Sequence, residues 1–158
     1  MPHPVVYPGS MDALVKEWEE KVKKAWGERR EAGLATLKIA DGECARLPQV
    51  LAKIGHTSLW QRGERVIDVA KTLRSGTVIA NFVFEDGRWK YPNRHGWHAA
   101  LFMSADGYSM TTGKPSRIWM FDQWKGKWPS PRGVQVAPAS STKKPSDRAE
   151  EFYVVLVK

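Results

Sequence analysis

The chain has 158 residues, of which 42% are hydrophobic and 27% are charged, and its formal net charge is +8. This ordinary globular mixture predicts a single domain, 1–158, with a hydrophobic core. No stretch approaches the roughly 20 apolar residues that cross a bilayer, and the first ten residues lack the basic and apolar segments of a secretory signal. We therefore expect no membrane span, and synthesis in the cytoplasm without a signal peptide.

A long helix is the first predicted element. The proline-rich start favours an extended arm, and Ser10 is a good helix-capping residue. Apolar residues then recur every three or four positions from Met11 to Trp26, which is typical of one buried helix face. The helix is expected to end near Gly27 or Gly33.

A second, shorter helix is predicted from Cys44 to Ile54, with Gly55 as its stop. Pro48 is comfortable only in a first helical turn, so this helix should begin close to Cys44. Cys44 is the only cysteine, which excludes an intramolecular disulfide. The dipole and free N–H groups at a helix start favour the thiolate, the nucleophilic form of cysteine.

Strands dominate the rest of the chain. The β-branched and aromatic runs predict strands at 77–84, 88–91, 97–104, 117–124, 133–138 and 151–158. Helices followed by strands predict an α+β fold, with the N-terminal helices packed on an antiparallel sheet of about five to six strands. We expect an N-terminal arm and long helix, 1–39, and a core, 40–158.

A histidine and an aspartate on two of these strands suggest catalysis. His98 and Asp122 each lie among apolar residues, where a charged side chain is costly to bury without a partner. If the two strands are neighbours, Asp122 can accept the Nδ1–H of His98 and leave Nε2 facing Cys44. Nucleophile, base and orienting group are the parts that thiol catalysis requires. Gln123 points the other way and is the poorer orienter.

Three further residues are candidates for substrate contact, namely His95 in a loop, Gln123, and Trp124 beside a glycine- and lysine-rich turn. The sequence contains no HExxH or CxxC motif and no glycine-rich phosphate loop. We therefore expect neither a metal nor another cofactor. Each candidate also has a purely structural interpretation, as a small buried thiol, a satisfied core histidine or a turn-capping carboxylate.

The blocks GECARLPQ, TSLWQRGERV, GTVIANF, WHAALF and FDQWKGKW resemble a small bacterial family of papain-like cysteine hydrolases, related to the CHAP and NlpC-type amidases and peptidases. The likeness covers about 40–156. It implies a papain-like fold and cleavage of amide bonds in peptidoglycan stem peptides. It also implies that Cys44 is the nucleophile, His98 the base and Asp122 the third polar residue.

Related proteins resemble type VI secretion effectors, which are delivered to the periplasm of a rival cell and accompanied by an immunity protein. The resemblance leaves open whether a sugar–peptide amide or a bond within the stem peptide is cut. The alternative is a non-catalytic basic module that binds cell wall, a partner protein or nucleic acid. Because the basic residues are scattered and no RNA-binding signature is present, nucleic acid is not expected.

Overall fold

The computed structural model describes residues 1–27 and 36–158. Three α-helices lie in these ranges: α1 (Met11–Gly27), α2 (Arg46–Leu51) and α3 (Val66–Val69). The end of α1 agrees with the first of the two predicted stops, and the second, Gly33, lies outside the described residues. None of the helices in the described part of the chain has the length and apolarity needed to cross a bilayer.

The same two ranges also contain nine strands. They are β1 (His3–Pro4), β2 (Gln61–Arg65), β3 (Val78–Asn81), β4 (Val83–Glu85), β5 (Arg88–Lys90), β6 (Ala99–Asp106), β7 (Arg117–Trp124), β8 (Lys127–Gln135) and β9 (Phe152–Val157). Short 3₁₀ turns occupy Thr57–Leu59, Pro145–Asp147 and Ala149–Glu151.

The main sheet is antiparallel throughout the described residues. Its order is β1-β9-β3-β6-β7-β8, with β2 also pairing with β9, and β4 and β5 form a separate hairpin. The predicted α+β class and antiparallel sheet are thereby confirmed. The sheet has seven strands rather than five to six, because short strands such as β1 and β2 carry no clear alternating pattern in the sequence.

Two strand predictions need correction. The predicted strand 77–84 is divided at Phe82 into β3 and β4. The side chain of Phe82 is buried in the core, and the side chain of Asn81 donates to the backbone oxygen of Glu151 (2.9 Å). The chain therefore leaves the main sheet at this point. The weak strand predicted at 133–138 is the end of β8, which already begins at Lys127. Its two prolines are tolerated because β8 lies at the edge of the sheet.

Successive side chains of each strand point to opposite faces of the main sheet, and each face packs in its own hydrophobic cluster. One face packs against α1 and the segment around α2, through Leu14, Trp18 and Leu47, which are buried. The other face packs against α3 through Val66 and Ile67. Cys44, His98 and Asp122 lie near one another, where β6 begins, β7 ends and the chain enters α2. The division at 39/40 stays a prediction.

The second helix is shorter than predicted. It spans only Arg46–Leu51, and Cys44 lies in the turn immediately before it. Pro48 is the third residue of this helix, where the absence of an N–H costs no helical hydrogen bond. Pro48 therefore fits the first turn and leaves the position of the thiol undisturbed.

Candidate active site

Cys44 is held in a tight turn at the entrance of α2. The side chain of Asp41 accepts the backbone N–H of Glu43 (3.0 Å), and Gly42 takes a left-handed φ of 89° that turns the chain back. The N–H of Leu47 then donates to the carbonyl oxygen of Cys44 (3.3 Å). The turn leaves the thiol partly exposed at one end of a groove.

Gln123 fastens this turn to the sheet. Its Oε1 accepts the backbone N–H of Ile39 (2.8 Å), and its Nε2 donates to the carbonyl oxygens of Ile39 and Glu43 (both 3.0 Å). The side chain is fully buried and does not line the groove. The prediction that Gln123 contacts substrate is therefore wrong, because its amide group is hydrogen-bonded to the backbone of the segment that carries Cys44.

His98 and Asp122 meet as neighbours on adjacent strands. Nε2 of His98 lies 2.8 Å from Oδ2 of Asp122, and both side chains are buried. The His98 N–H donates to Oδ1 of Asn81 (2.9 Å), which fixes the backbone just before β6. The predicted tautomer is reversed: Asp122 takes Nε2, so Nδ1 is the ring nitrogen left for Cys44.

Two cations hold Asp122 from the other side. Nε of Arg132 lies 2.7 Å from Oδ2, and Nζ of Lys127 lies 2.8 Å from Oδ1 as an ion pair. Arg132 also reaches Oδ1 of Asp147 (3.0 Å) on the opposite wall of the groove. The Asp122 carboxylate therefore has a fixed orientation when His98 approaches it.

The three candidate residues perturb one another electrostatically. Burial opposes ionisation of Asp122, but the hydrogen bond and charge of His98 and the charges of Arg132 and Lys127 hold its pKa well below the usual range. Burial lowers the pKa of His98, whereas its contacts with Asp122 and Cys44 raise it more, to above its ordinary value. The pair therefore favours the imidazolium.

The thiol responds in the opposite sense. Burial alone raises the pKa of Cys44, but the hydrogen bond and positive charge of His98 and the hydroxyl of Tyr91 lower it below the ordinary value. A hydrogen bond from the Ala99 backbone adds to this lowering of the pKa. Both shifts move the Cys44–His98 pair towards the thiolate–imidazolium form.

A groove of about 670 Å³ leads to Cys44 and His98. Trp124, 42% exposed, forms part of its wall, with its ring centroid 5.9 Å from that of His98. His95 lies exposed at the rim and accepts a hydrogen bond from Lys144 (2.7 Å). Most of the other residues that line the groove are charged or aromatic, namely Glu43, Tyr91, Arg94, Trp97, Lys125, Arg132, Lys144 and Asp147, and the rest are Asn93, Gly96 and Ser146. Across 1–27 and 36–158, no three His, Cys, Asp or Glu side chains are grouped to hold a metal.

Sequence reasoning missed three members of this site. Tyr91, whose hydroxyl lies 3.3 Å from Sγ of Cys44, belongs to a stretch that reads as a loop in the sequence. Lys127 and Arg132 belong to β8, which the turn-like sequence concealed. If the sequence had indicated a strand directly after β7, both cationic side chains would have been predicted to lie near Asp122.

Comparison with known proteins gives two matches. The family model described as "Domesticated amidase effector 2" matches residues 18–155. A solved structure titled "Type 6 secretion amidase effector 2 (Tae2)" is similar, with 31% sequence identity and a TM-score of 0.58 over 78% of this chain and 88% of that chain. No curated protein matches. These findings confirm the predicted resemblance to amidase effectors, and the chain belongs to the domesticated amidase effector 2 family.

Proposed function

We propose that this protein hydrolyses an amide bond in the peptide stems of peptidoglycan, with Cys44 as nucleophile, His98 as base and acid, and Asp122 as the orienting carboxylate. The observation that carries the proposal is the contact chain at the groove. Asp122 bonds His98 at 2.8 Å, and His98 in turn lowers the pKa of the only thiol in the chain. Membership of an amidase family makes amide hydrolysis the matching chemistry.

The reaction begins with the thiolate of Cys44, which attacks the amide carbonyl carbon. The carbon–oxygen π pair moves onto oxygen to form the tetrahedral intermediate. The imidazolium of His98 then gives its Nδ1 proton to the leaving nitrogen as the carbon–nitrogen bond breaks. His98, now neutral, takes a proton from water, and the resulting hydroxide equivalent releases the acyl group from sulfur.

The positive net charge of the protein is compatible with a substrate in the anionic cell wall. The net charge of +8 attracts the enzyme to anionic wall polymer, and the groove offers cationic and aromatic groups to a peptide that carries carboxylates. Trp124 and His95 are the proposed substrate contacts, because both line the groove beside the reacting atoms or at its rim. A bond between sugar and peptide and a bond within the stem are both amides that this geometry accepts.

The effector role is part of the same proposal. The solved relative is titled a type 6 secretion amidase effector, and a shared delivery route would carry this protein to the periplasm of a target cell. An amidase that acts on the wall is harmful to the cell that makes it, so we expect an immunity protein that blocks the groove. A non-catalytic wall-binding module is the rival function, and it gives no reason for a thiol pKa lowered by a buried His98–Asp122 pair.

The experiment is digestion of purified sacculi by the wild-type protein and by Cys44→Ala, followed by mass spectrometry of the released muropeptides. We expect the wild type to release fragments that carry one new carboxyl and one new amino terminus. Cys44→Ala should still sediment with the sacculi but release nothing above background. If Cys44→Ala releases the same fragments as the wild type, the proposed mechanism is wrong. If neither protein releases fragments while both sediment, the protein is a binding module.

A further inference from the structure

The tetrahedral intermediate requires hydrogen-bond donors for its oxyanion, and the Cys44 turn supplies one of them. Within the described residues, no acceptor engages the backbone N–H of Cys44, which leaves it available to the substrate oxygen. One backbone donor is seldom the whole of an oxyanion site. A second donor must lie within reach of both the sulfur and that N–H.

Several side-chain donors in and beside the groove are already engaged elsewhere. Arg94 is bound to Glu85 through two hydrogen bonds of 3.1 and 2.6 Å. Lys125 lies 3.2 Å from the carboxylate of Glu43. The amide of Gln123, which is the expected kind of donor, is buried against the backbone of the Cys44 segment.

The Tyr91 hydroxyl differs from these groups because it touches the reacting sulfur. Its oxygen lies 3.3 Å from Sγ of Cys44. The ring is buried and packs against Trp60 with a centroid distance of 4.9 Å, and the main chain continues directly into Pro92. The hydroxyl is therefore held in place before substrate binds, as an effective oxyanion donor must be.

We propose that the Tyr91 hydroxyl donates the second hydrogen bond to the oxyanion, together with the backbone N–H of Cys44. This inference rests on the proposed function. When sulfur bonds to the carbonyl carbon, the new oxyanion lies next to the former thiolate. The O–H that pointed at sulfur then turns to the oxygen. No proton is transferred, and the hydrogen bond is returned to sulfur when the carbon–nitrogen bond breaks.

The electrostatics of Tyr91 suit a donor and not a base. Burial, together with the charge and hydrogen bond of Cys44, raises the pKa of Tyr91 well above its ordinary value. The thiol of Cys44 therefore ionises at a lower pH than the phenol of Tyr91, and the phenol still carries its proton when the thiolate forms. The hydroxyl contact also helps to lower the pKa of Cys44, so the test must separate stabilisation of the thiolate from stabilisation of the oxyanion.

Tyr91→Phe removes the hydroxyl and keeps the ring that packs on Trp60. Tyr153→Phe is the matched control, because Tyr153 is also buried and its hydroxyl accepts from Arg65 (2.9 Å) without contacting Cys44. For each variant we would measure kcat and KM on a muropeptide purified from sacculi. In parallel we would measure the limiting rate of iodoacetamide alkylation above the thiol pKa. Alkylation consumes the thiolate but develops no oxyanion.

We expect Tyr91→Phe to lower kcat by about 100- to 1,000-fold, the range typical for removal of one oxyanion donor. KM and the limiting alkylation rate should change less than threefold, and Tyr153→Phe should resemble the wild type. The assignment is overturned if kcat of Tyr91→Phe matches that of Tyr153→Phe, or if the alkylation rate falls as much as kcat does.

The same data separate this inference from the proposed function. If the wild type releases fragments, Cys44→Ala releases none and Tyr91→Phe is fully active, only the oxyanion role of Tyr91 is lost. If the wild type cleaves nothing, the proposed function and this inference both fail. If the alkylation pKa of Cys44 in Tyr91→Phe is lower than that of the same variant in urea, the variant has kept the fold around the thiol.

Discussion

At the scale of single residues, the site is a chain of ion pairs and hydrogen bonds in which each group orients the next one. Arg132 and Lys127 fix Asp122, and Asp122 fixes Nε2 of His98. His98 in turn is the main group that lowers the pKa of Cys44. The lowered pKa of the thiol therefore depends on side chains that β7, β8 and the start of β6 hold in place.

The pH dependence of thiol reactivity follows from these shifts. The pKa of Cys44 is lowered and that of His98 is raised, so both shifts favour the thiolate–imidazolium pair over the neutral pair. Activity should be lost as the pH falls and Cys44 is protonated, and lost again as the pH rises and His98 loses its proton. His98→Ala should move the alkylation curve of Cys44 upward, towards the ordinary thiol pKa, because the neighbouring cation is gone.

Iodoacetamide alkylation followed across pH in the wild type and in His98→Ala measures this shift. His56→Ala is the control, because His56 is exposed and, within the described residues, its side chain bonds only to Ser58. Superimposable curves for the wild type and His98→Ala would refute the electrostatic account of the thiol.

At the scale of elements, β7 organises both halves of the site. Asp122 and Gln123 are consecutive on this strand and point to opposite faces, Asp122 to His98 and Gln123 to the turn before α2. One strand thus carries the orienting carboxylate and the anchor of the nucleophile segment.

This anchoring predicts a stability effect for Gln123→Ala. The change leaves the N–H and carbonyl of Ile39 and the carbonyl of Glu43 without their side-chain partner. We expect a loss of about 2–4 kcal/mol in the free energy of unfolding, measured by urea denaturation. Gln135→Ala, in the exposed part of β8, should change it by less than about 0.5 kcal/mol. Equal stabilities for the two variants would show that the anchor is unimportant.

At the scale of the whole molecule, the order of helices and strands was enough to predict the α+β class and the antiparallel sheet. Alternation along β7 correctly separated the directions of Asp122 and Gln123. The partners of these side chains were not predictable, because Gln123 binds a backbone segment 84 positions away. The ring nitrogen of His98 that faces Asp122 depends on the approach angle of two strands, which no local pattern records.

Tyr91 is a further site residue whose contact with Cys44 could not be predicted from the sequence. Nothing in the stretch around it distinguishes a buried site residue from a surface loop. Its contact with Cys44 spans 47 positions and depends on how the β4–β5 hairpin returns to the sheet. A contact between residues so far apart in the sequence becomes visible only in the folded chain. The resemblance to amidase effectors, in contrast, depended on short sequence blocks, and the comparisons confirm that resemblance.

The central claim is that the thiol of Cys44 performs the hydrolysis, and the composition of the chain offers a direct measurement of it. Because Cys44 is the only cysteine, iodoacetamide modifies one sulfur in the unaltered protein, and intact mass reports the modified fraction. Digestion of sacculi should fall in direct proportion to that fraction and reach background when one carbamidomethyl group is present per chain. Full digestion by fully alkylated protein would contradict the account.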